Sequence, residues 1–236
     1  MAETSQFGLP LVQASQAQKH VTVNEALARL DAVAQLRLAS VAVTVPPVLA
    51  AEGDAFGVPA GAVNDWNGHE GEVAVYSNGG WVFVTPLFGW RAWIVDLSRC
   101  SVFNGIDWVT EVVALSAGGA MTQNRVVEFD HTIAAGATST TSVTIENGEQ
   151  VIGITGRILS DFTGTGLTSW DLGVAGSISR YGNGLGLLNG SWVRGLSGAP
   201  VSYYADTALV LTANGGDFSG GTIRLVIHSV KLEPPV

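Results

Sequence analysis

Two pairs of carboxylates in this sequence could serve acid–base chemistry. Glu70 and Glu72 stand two residues apart, a spacing that shares one face of a strand, and Glu52 and Asp54 flank a turn. Hydrolysis of a glycosidic bond needs two carboxyl groups about 5–9.5 Å apart, one acid and one base or nucleophile. Acids at turns and strand edges also serve solubility alone, and no catalytic residue is assigned from either pair. The histidines are His20, His69, His131 and His228, and none has the HxH or HExxH spacing of a metal site. Asp130 and His131 are neighbours, so in a strand they project to opposite faces. His228 falls in an apolar run and reads as a satisfied core or subunit-interface histidine. No GxSxG elbow occurs, and GNGLG and GTG lack the strand–loop–helix setting of a phosphate loop. Cys100, the single cysteine, excludes an internal disulfide and a cysteine-based zinc site, and reads as a small buried hydrophobe. No metal and no cofactor is expected.

Recognition is better served than catalysis. The stretch SWDLGVAGSISRYGNGLGLLNGSWVRG, with SYYAD after it, offers Trp170, Tyr181, Trp192, Tyr203 and Tyr204. Asp171, Arg180, Asn183, Asn189 and Arg194 are interleaved with them. Sugars present CH faces that stack on aromatic rings and hydroxyls that pair with planar polar groups, so this mixture suits a glycan. The competing reading is that the aromatics are core or trimer-interface packing.

The elements that must carry these residues are mostly strands. One helix is expected near the front. Thr22 and Glu25 fit a capping box, with Asn24 as an alternative cap, and strong helix formers run from Glu25 to Leu38. Val23, Leu27, Leu30 and Ala34 form one apolar stripe, while Arg29, Asp31, Gln35 and Arg37 lie largely on the other side. A helix of about 15 residues is marginal alone, so the stripe must pack on its own domain, on other subunits or on a docking protein. From position 46 to 114 turn signals alternate with short strands. VAVYSNGGWVFV and CSVFNGIDWV both read as strand, Asn-Gly turn, Trp, strand. Trp66, Trp81, Trp90, Trp93 and Trp108 fall in this small module, which needs such aromatic burial to hold together. LSAGGAMTQNR (115–125) reads as a linker. Residues 126–236 then read as about eight strands with sandwich-like turn spacing. In the last, IRLVIHSVKL, both faces are apolar in the middle, which places it at the centre of a sheet. The fold expected is mainly β: an N-terminal extended segment and helix (1–45), a Trp-rich hairpin module (46–114), the linker, and a C-terminal sandwich.

Composition limits the partners. Charged residues are 13% of the chain, roughly half the usual share, against 47% hydrophobic and 30 Gly among 236 residues. Low charge suits a surface partly covered by neighbouring subunits. The net charge is −9 and no basic run occurs, which argues against nucleic acid and against an anionic membrane surface. The first twenty residues lack the basic and apolar regions of a signal peptide, and no apolar run approaches the ~20 residues of a membrane span.

The segment LPLVQASQAQKHVTVNEALARLDAVAQL, and the Trp-rich hairpins after it from PPVLAAEGDAFGV to WRAWIVD, resemble an uncharacterised domain family of alphaproteobacterial prophages and gene transfer agents. The resemblance covers roughly residues 8–110. The later part, from DLGVAGSISRYGNGLGLLNGS to GTIRLVIHSVKL, resembles a jelly-roll-like C-terminal module often joined to it. The resemblance implies a structural appendage of a phage-like particle, a tail fibre or head spike, and the lack of a signal peptide leads to the expectation that it is assembled in the cytoplasm. It carries over no catalytic residue. The expected partners are other copies of the chain (a homotrimer is favoured, and a pentamer at a capsid vertex is the alternative), other particle proteins through the N-terminus, and host cell-surface polysaccharide. A capsule depolymerase and a purely architectural part are the rival readings.

Overall fold

The structure, a computed structural model, describes residues 2–12 and 19–235. The chain is mainly β, with 52% strand and 8% helix, and among the described residues one α-helix lies near the N-terminus. It divides into two units, residues 1–115 and 116–236.

The first unit opens on α1, Lys19–Ala34. The helix begins before the expected capping box, so Thr22 and Glu25 sit inside it, and the Asn24 side chain holds the backbone of Val12 instead. Eight short strands follow: β1 (Arg37–Leu38), β2 (Ala55–Gly57), β3 (Val73–Ser77), β4 (Gly80–Val84), β5 (Arg91–Ile94), β6 (Arg99–Phe103), β7 (Trp108–Thr110) and β8 (Val112–Leu115). β1, β5, β6 and β7 form one sheet, and β2, β3 and β4 another. Residues Ala39 and Ser40, just past β1, bond to Ala55 and Gly57 of β2 and link the two sheets.

Both expected hairpins form, by different chemistry. Asn78 and Gly79 take φ of 52° and 81°, the paired positive angles of a tight two-residue turn between Ser77 and Gly80. At β6–β7 the loop is longer, and the Asn104 side chain closes it by accepting bonds from the amides of Ile106 and Asp107. One core joins Ala32, Leu36 and Leu38 to Ala55, Val73, Val75, Ala92 and Ile94. The N-terminal segment is therefore continuous with the hairpin module rather than separate from it. A second core centres on fully buried Trp66, whose ring lies 5.3 Å from Phe56 and 5.1 Å from Trp81.

The second unit holds β9 (Met121–Thr132), β10 (Thr138–Ile145), β11 (Glu149–Thr163), β12 (Ser169–Val174), β13 (Ser177–Leu185), β14 (Trp192–Ser202), β15 (Thr207–Asn214) and β16 (Gly220–Glu233). The stretch expected as a linker is mostly strand: Met121–Arg125 pair with β16, and only the turn 116–120 precedes them. Within the unit one sheet runs β14-β11-β16-β9 and the other β10-β15-β12-β13. That pairing, first strand with eighth, eighth with third, third with sixth, and second, seventh, fourth and fifth in the facing sheet, is the jelly roll. Ile154, Ile158, Ile223, Leu225 and Ile227 from one sheet meet Ile145, Trp170, Leu172, Leu209 and Leu211 from the other. β16 is flanked by β11 and β9 as its two-faced pattern requires: Ile223, Leu225, Ile227 and Ser229 are buried inside, and Arg224, Val226, His228, Val230 and Leu232 point outward.

Candidate functional site

The antiparallel register of the β14-β11-β16-β9 sheet sets its outer face in rows. Trp192, Arg157, Arg224 and Asp130 lie across one row; Arg194, Thr155, Val226 and Glu128 across the next; Leu196, Gly153, His228 and Val126 across the third. The face is thus split. Toward the end carrying the β13–β14 loop it is aromatic and charged. Farther along it carries apolar side chains, with Leu196 and Leu232 each 70% exposed and Val126 exposed on the same face.

Trp192 is the exposed aromatic of the charged end, with 61% of its surface free. The Arg194 guanidinium lies 5.4 Å from its ring centroid, a cation–π contact. Arg157, opposite Trp192 in register, donates to the Gly190 carbonyl at 3.2 Å. The loop before Trp192 is fastened to β11: Gly190 and Ile158 bond, Ile158 and Ser191 bond, Phe162 donates to Leu187, and the Asn189 amide donates to Asp161 at 2.6 Å. Arg224 is bound twice by Asp130, at 2.7 and 2.8 Å. Those hydrogen bonds hold the Asp130 carboxyl below its ordinary value and push Arg224 up.

Several residues expected to meet a glycan are buried. Trp170 is buried against Phe162 and donates its indole N–H to Gly186 at 2.9 Å. Asp171 is buried too, accepting from the Gly184 amide at 2.8 Å and the Asn214 amide group at 2.9 Å. Tyr181 and Tyr203 are buried with their hydroxyls 2.6 Å apart. Burial first, and then that hydrogen bond, raises the Tyr181 pKa. At the sandwich edge β13 closes over β14, with the Tyr181 carbonyl against Gly195 where no Cβ could fit, and the Tyr181 ring packs into the core. Arg180, Asn183, Asn189 and Tyr204 are exposed. Tyr204, 87% exposed, follows β14, whereas Trp192 begins it, so the two stand at opposite ends of the strand. Arg157 was not among the expected residues, because only register brings it to Trp192.

Three of the four carboxylates in the expected pairs, Glu72, Glu52 and Asp54, are occupied. Glu70 and Glu72 precede β3 rather than sharing its face. Glu72 accepts from Thr85 at 2.9 Å and lies 2.7 Å from His69 Nδ1, while His69 stacks on Phe83 at 3.5 Å. Glu52 accepts from Ser77 and the Asn78 amide, and Asp54 from the Ala51 amide. His131 faces inward to Ser139 at 2.8 Å and burial lowers its pKa; His228 faces outward to Thr155 at 2.9 Å. The His20 side chain lies outside the described residues. Among the described residues no cluster of His, Cys, Asp or Glu could hold a metal ion. Cys100 is exposed, correcting the expectation of a buried thiol: it stands beside Trp93 on the outward face of β6.

On α1 the apolar stripe points away from the unit's core. Val23, Leu30 and Ala34 are exposed, Leu30 by 54%, and Leu27 is half-buried. The inward face carries Ala32 and, against expectation, Asp31. The reason is a second layer: Thr4 Oγ1 and the amides of Gln6 and Phe7 donate to the Asp31 carboxylate at 2.7–2.8 Å, so residues 4–7 cover it. A cleft of about 640 Å³ lies between α1 and the β3–β4 hairpin. Its charged lining is Glu3, Glu25, Asp31 and Glu52 against Arg29, which Glu25 already pairs. An anion finds no welcome there.

The second unit is thus a jelly-roll sandwich with an Arg-flanked tryptophan on the outer face of one sheet. Within the first unit, residues 23–109, from within α1 to β7, match the family model described as "Protein of unknown function (DUF2793)". No curated protein matches the chain. Among solved structures it is similar to a chain titled "Cyanophage Pam1 capsid asymmetric unit", at 22% identity over 48% of this chain and 84% of that one, with a TM-score of 0.31. At that score the likeness defines neither the fold nor the role of this chain. No helix among the described residues is long and apolar enough to cross a membrane.

Proposed function

We propose that the chain is a non-catalytic structural protein of a phage-like particle, assembling with copies of itself and with other particle proteins through its first unit, and touching host cell-surface polysaccharide through its jelly roll. The observation that carries the reading is Trp192: an indole 61% exposed, at the start of an edge strand, on a loop fastened to its neighbour by backbone hydrogen bonds. A rigid exposed ring is what a sugar face stacks on, and rigidity lowers the entropy cost of holding it.

Assembly is supported by what stays uncovered. The Val23, Leu27, Leu30 and Ala34 stripe faces outward, and the apolar half of the outer sheet face adds Val126, Leu196 and Leu232. A chain with 13% charged residues and such surfaces is suited to neighbours, a trimer first and a pentamer as the alternative. The particle context is supported by the resemblance over residues 8–110 and the family match over 23–109. Jelly rolls serve both capsid and lectin domains, which is support by analogy of fold.

The test is retention of the purified chain on capsulated against acapsular host cells. Binding to capsulated cells alone, lost in Trp192→Ala, is the expected result. Equal, blank retention on both would leave an architectural part, and reducing sugar in the supernatant would make it a depolymerase. Light scattering on the eluted protein should give a multiple of the chain mass, and a clean monomer at micromolar concentration refutes self-assembly.

A further inference from the structure

We infer that the Trp192 site takes an acidic sugar, one carrying a carboxylate such as a hexuronate, a conclusion that rests on the glycan reading above and narrows it. Trp192 stands beside two arginines on one sheet face. Arg157 is directly opposite in register, and Arg194 is two residues along the same strand. The two arginines are diagonal neighbours, about 7–8 Å apart at Cα, close enough for both long side chains to reach one group. Arg224 extends the row, but Asp130 occupies it through two hydrogen bonds, and Glu128 stands 3.8 Å away. Arg157 and Arg194 differ. Among the described residues no carboxylate pairs with either: Arg157 gives one N–H to the Gly190 carbonyl, and Arg194 lies over the indole.

A guanidinium is a planar fork that binds a carboxylate through two parallel hydrogen bonds. Two forks without counter-ions beside an exposed ring make a composite site, with the ring for the sugar's CH face and the forks for its acid group. Asp161, which reaches the loop, is engaged by the Asn189 amide. The setting sharpens the point. The chain carries a net charge of −9, so an acidic polymer gains nothing from the protein's overall field. The attraction must be local, and at physiological salt it reaches only about 8 Å.

The experiment is an array of hexuronate-, sialate- and neutral-sugar polymers, each printed beside its carboxyl-reduced form where it has one, and probed with the full chain. The expected result is binding to carboxylate-bearing polymers that disappears on carboxyl reduction. Arg157→Gln with Arg194→Gln should weaken it roughly tenfold to a hundredfold, the loss of charged hydrogen bonds. Arg157→Lys keeps the charge without the fork and should fall between. Both positions are exposed, so the melting temperature of each variant should stay within a few degrees of the parent. Equal binding to reduced and unreduced polymers, or binding unchanged in the double variant, overturns the inference and leaves the glycan reading standing. An array blank for the unaltered chain on every polymer defeats both.

Discussion

Replacing Asp31 by Asn should loosen the N-terminal segment without unfolding the first unit. The carboxylate is buried and accepts three hydrogen bonds, from Thr4 Oγ1 at 2.7 Å and from the Gln6 and Phe7 amides at 2.8 Å each. Asn keeps one acceptor oxygen and turns an NH2 group toward at least one of these donors. Leaving a buried donor unmatched costs about 1–3 kcal/mol. At 1.4 kcal/mol per decade that is roughly a 5-fold to 150-fold rise in local opening. Amide hydrogen exchange at Gln6 and Phe7 reads it directly, while amides of β3 and β5 should exchange at parent rates. The pH dependence has a definite sign. Burial pushes the Asp31 carboxyl up, but the Thr4 hydroxyl and the two amides together pull it further down, so its folded value lies below the ordinary 3.8. The stabilisation is therefore complete above the ordinary value, shrinks as pH falls through it, and is gone below the depressed folded value. In Asp31→Asn this acid sensitivity of the Gln6 and Phe7 amides should vanish. Exchange at those two amides no faster in the variant than in the parent at neutral pH would refute the reasoning.

Other outcomes follow from the same geometry. Tyr181→Phe strands the buried Tyr203 hydroxyl and should cost about 1–3 kcal/mol, whereas Tyr181→Phe with Tyr203→Phe should cost less than the single change, read by chemical denaturation of the full chain. Because burial raises the Tyr181 pKa, the stability it carries is intact below the ordinary phenol value and is lost as pH rises beyond it, so an absorbance titration should find this phenol protonated until the second unit unfolds. Trp66→Ala should cost about 3–5 kcal/mol in the first unit and leave the second unit's transition in place by calorimetry, since the cores are separate. Gly79→Ala forces a side chain onto a φ of 81° and should lower the first unit's stability by about 1–2 kcal/mol.

What could be read from the chain tracks how local its causes are. The β3–β4 hairpin is written in two adjacent residues, Asn78 and Gly79, and the centrality of β16 in its alternation of apolar residues on both faces. The eight strands of the second unit were legible because turns and strands alternate along the sequence. Asp31 was misjudged because its partners lie 24 to 27 residues upstream, in a segment with no pattern of its own. Trp170, Asp171, Tyr181 and Tyr203 were expected at a binding face and are buried, because composition cannot tell an exposed loop from residues that the sandwich encloses. The one sequence trace of that closure is small: Gly195 in β14, where Tyr181 crosses. Arg157 lies 35 positions before Trp192, and only strand register joins them.

The jelly roll's first and last strands run side by side, with Met121 opposite Glu233 and Asp130 opposite Arg224. Nine residues of strand, about 30 Å, thus separate the place where the polypeptide enters and leaves this unit from the row that holds Trp192. The module is tethered by its back and presents its front. A bulky cargo grafted after Glu233 should therefore leave the indole as accessible as before, making that end of β16 the place to hang a fluorophore or a surface anchor.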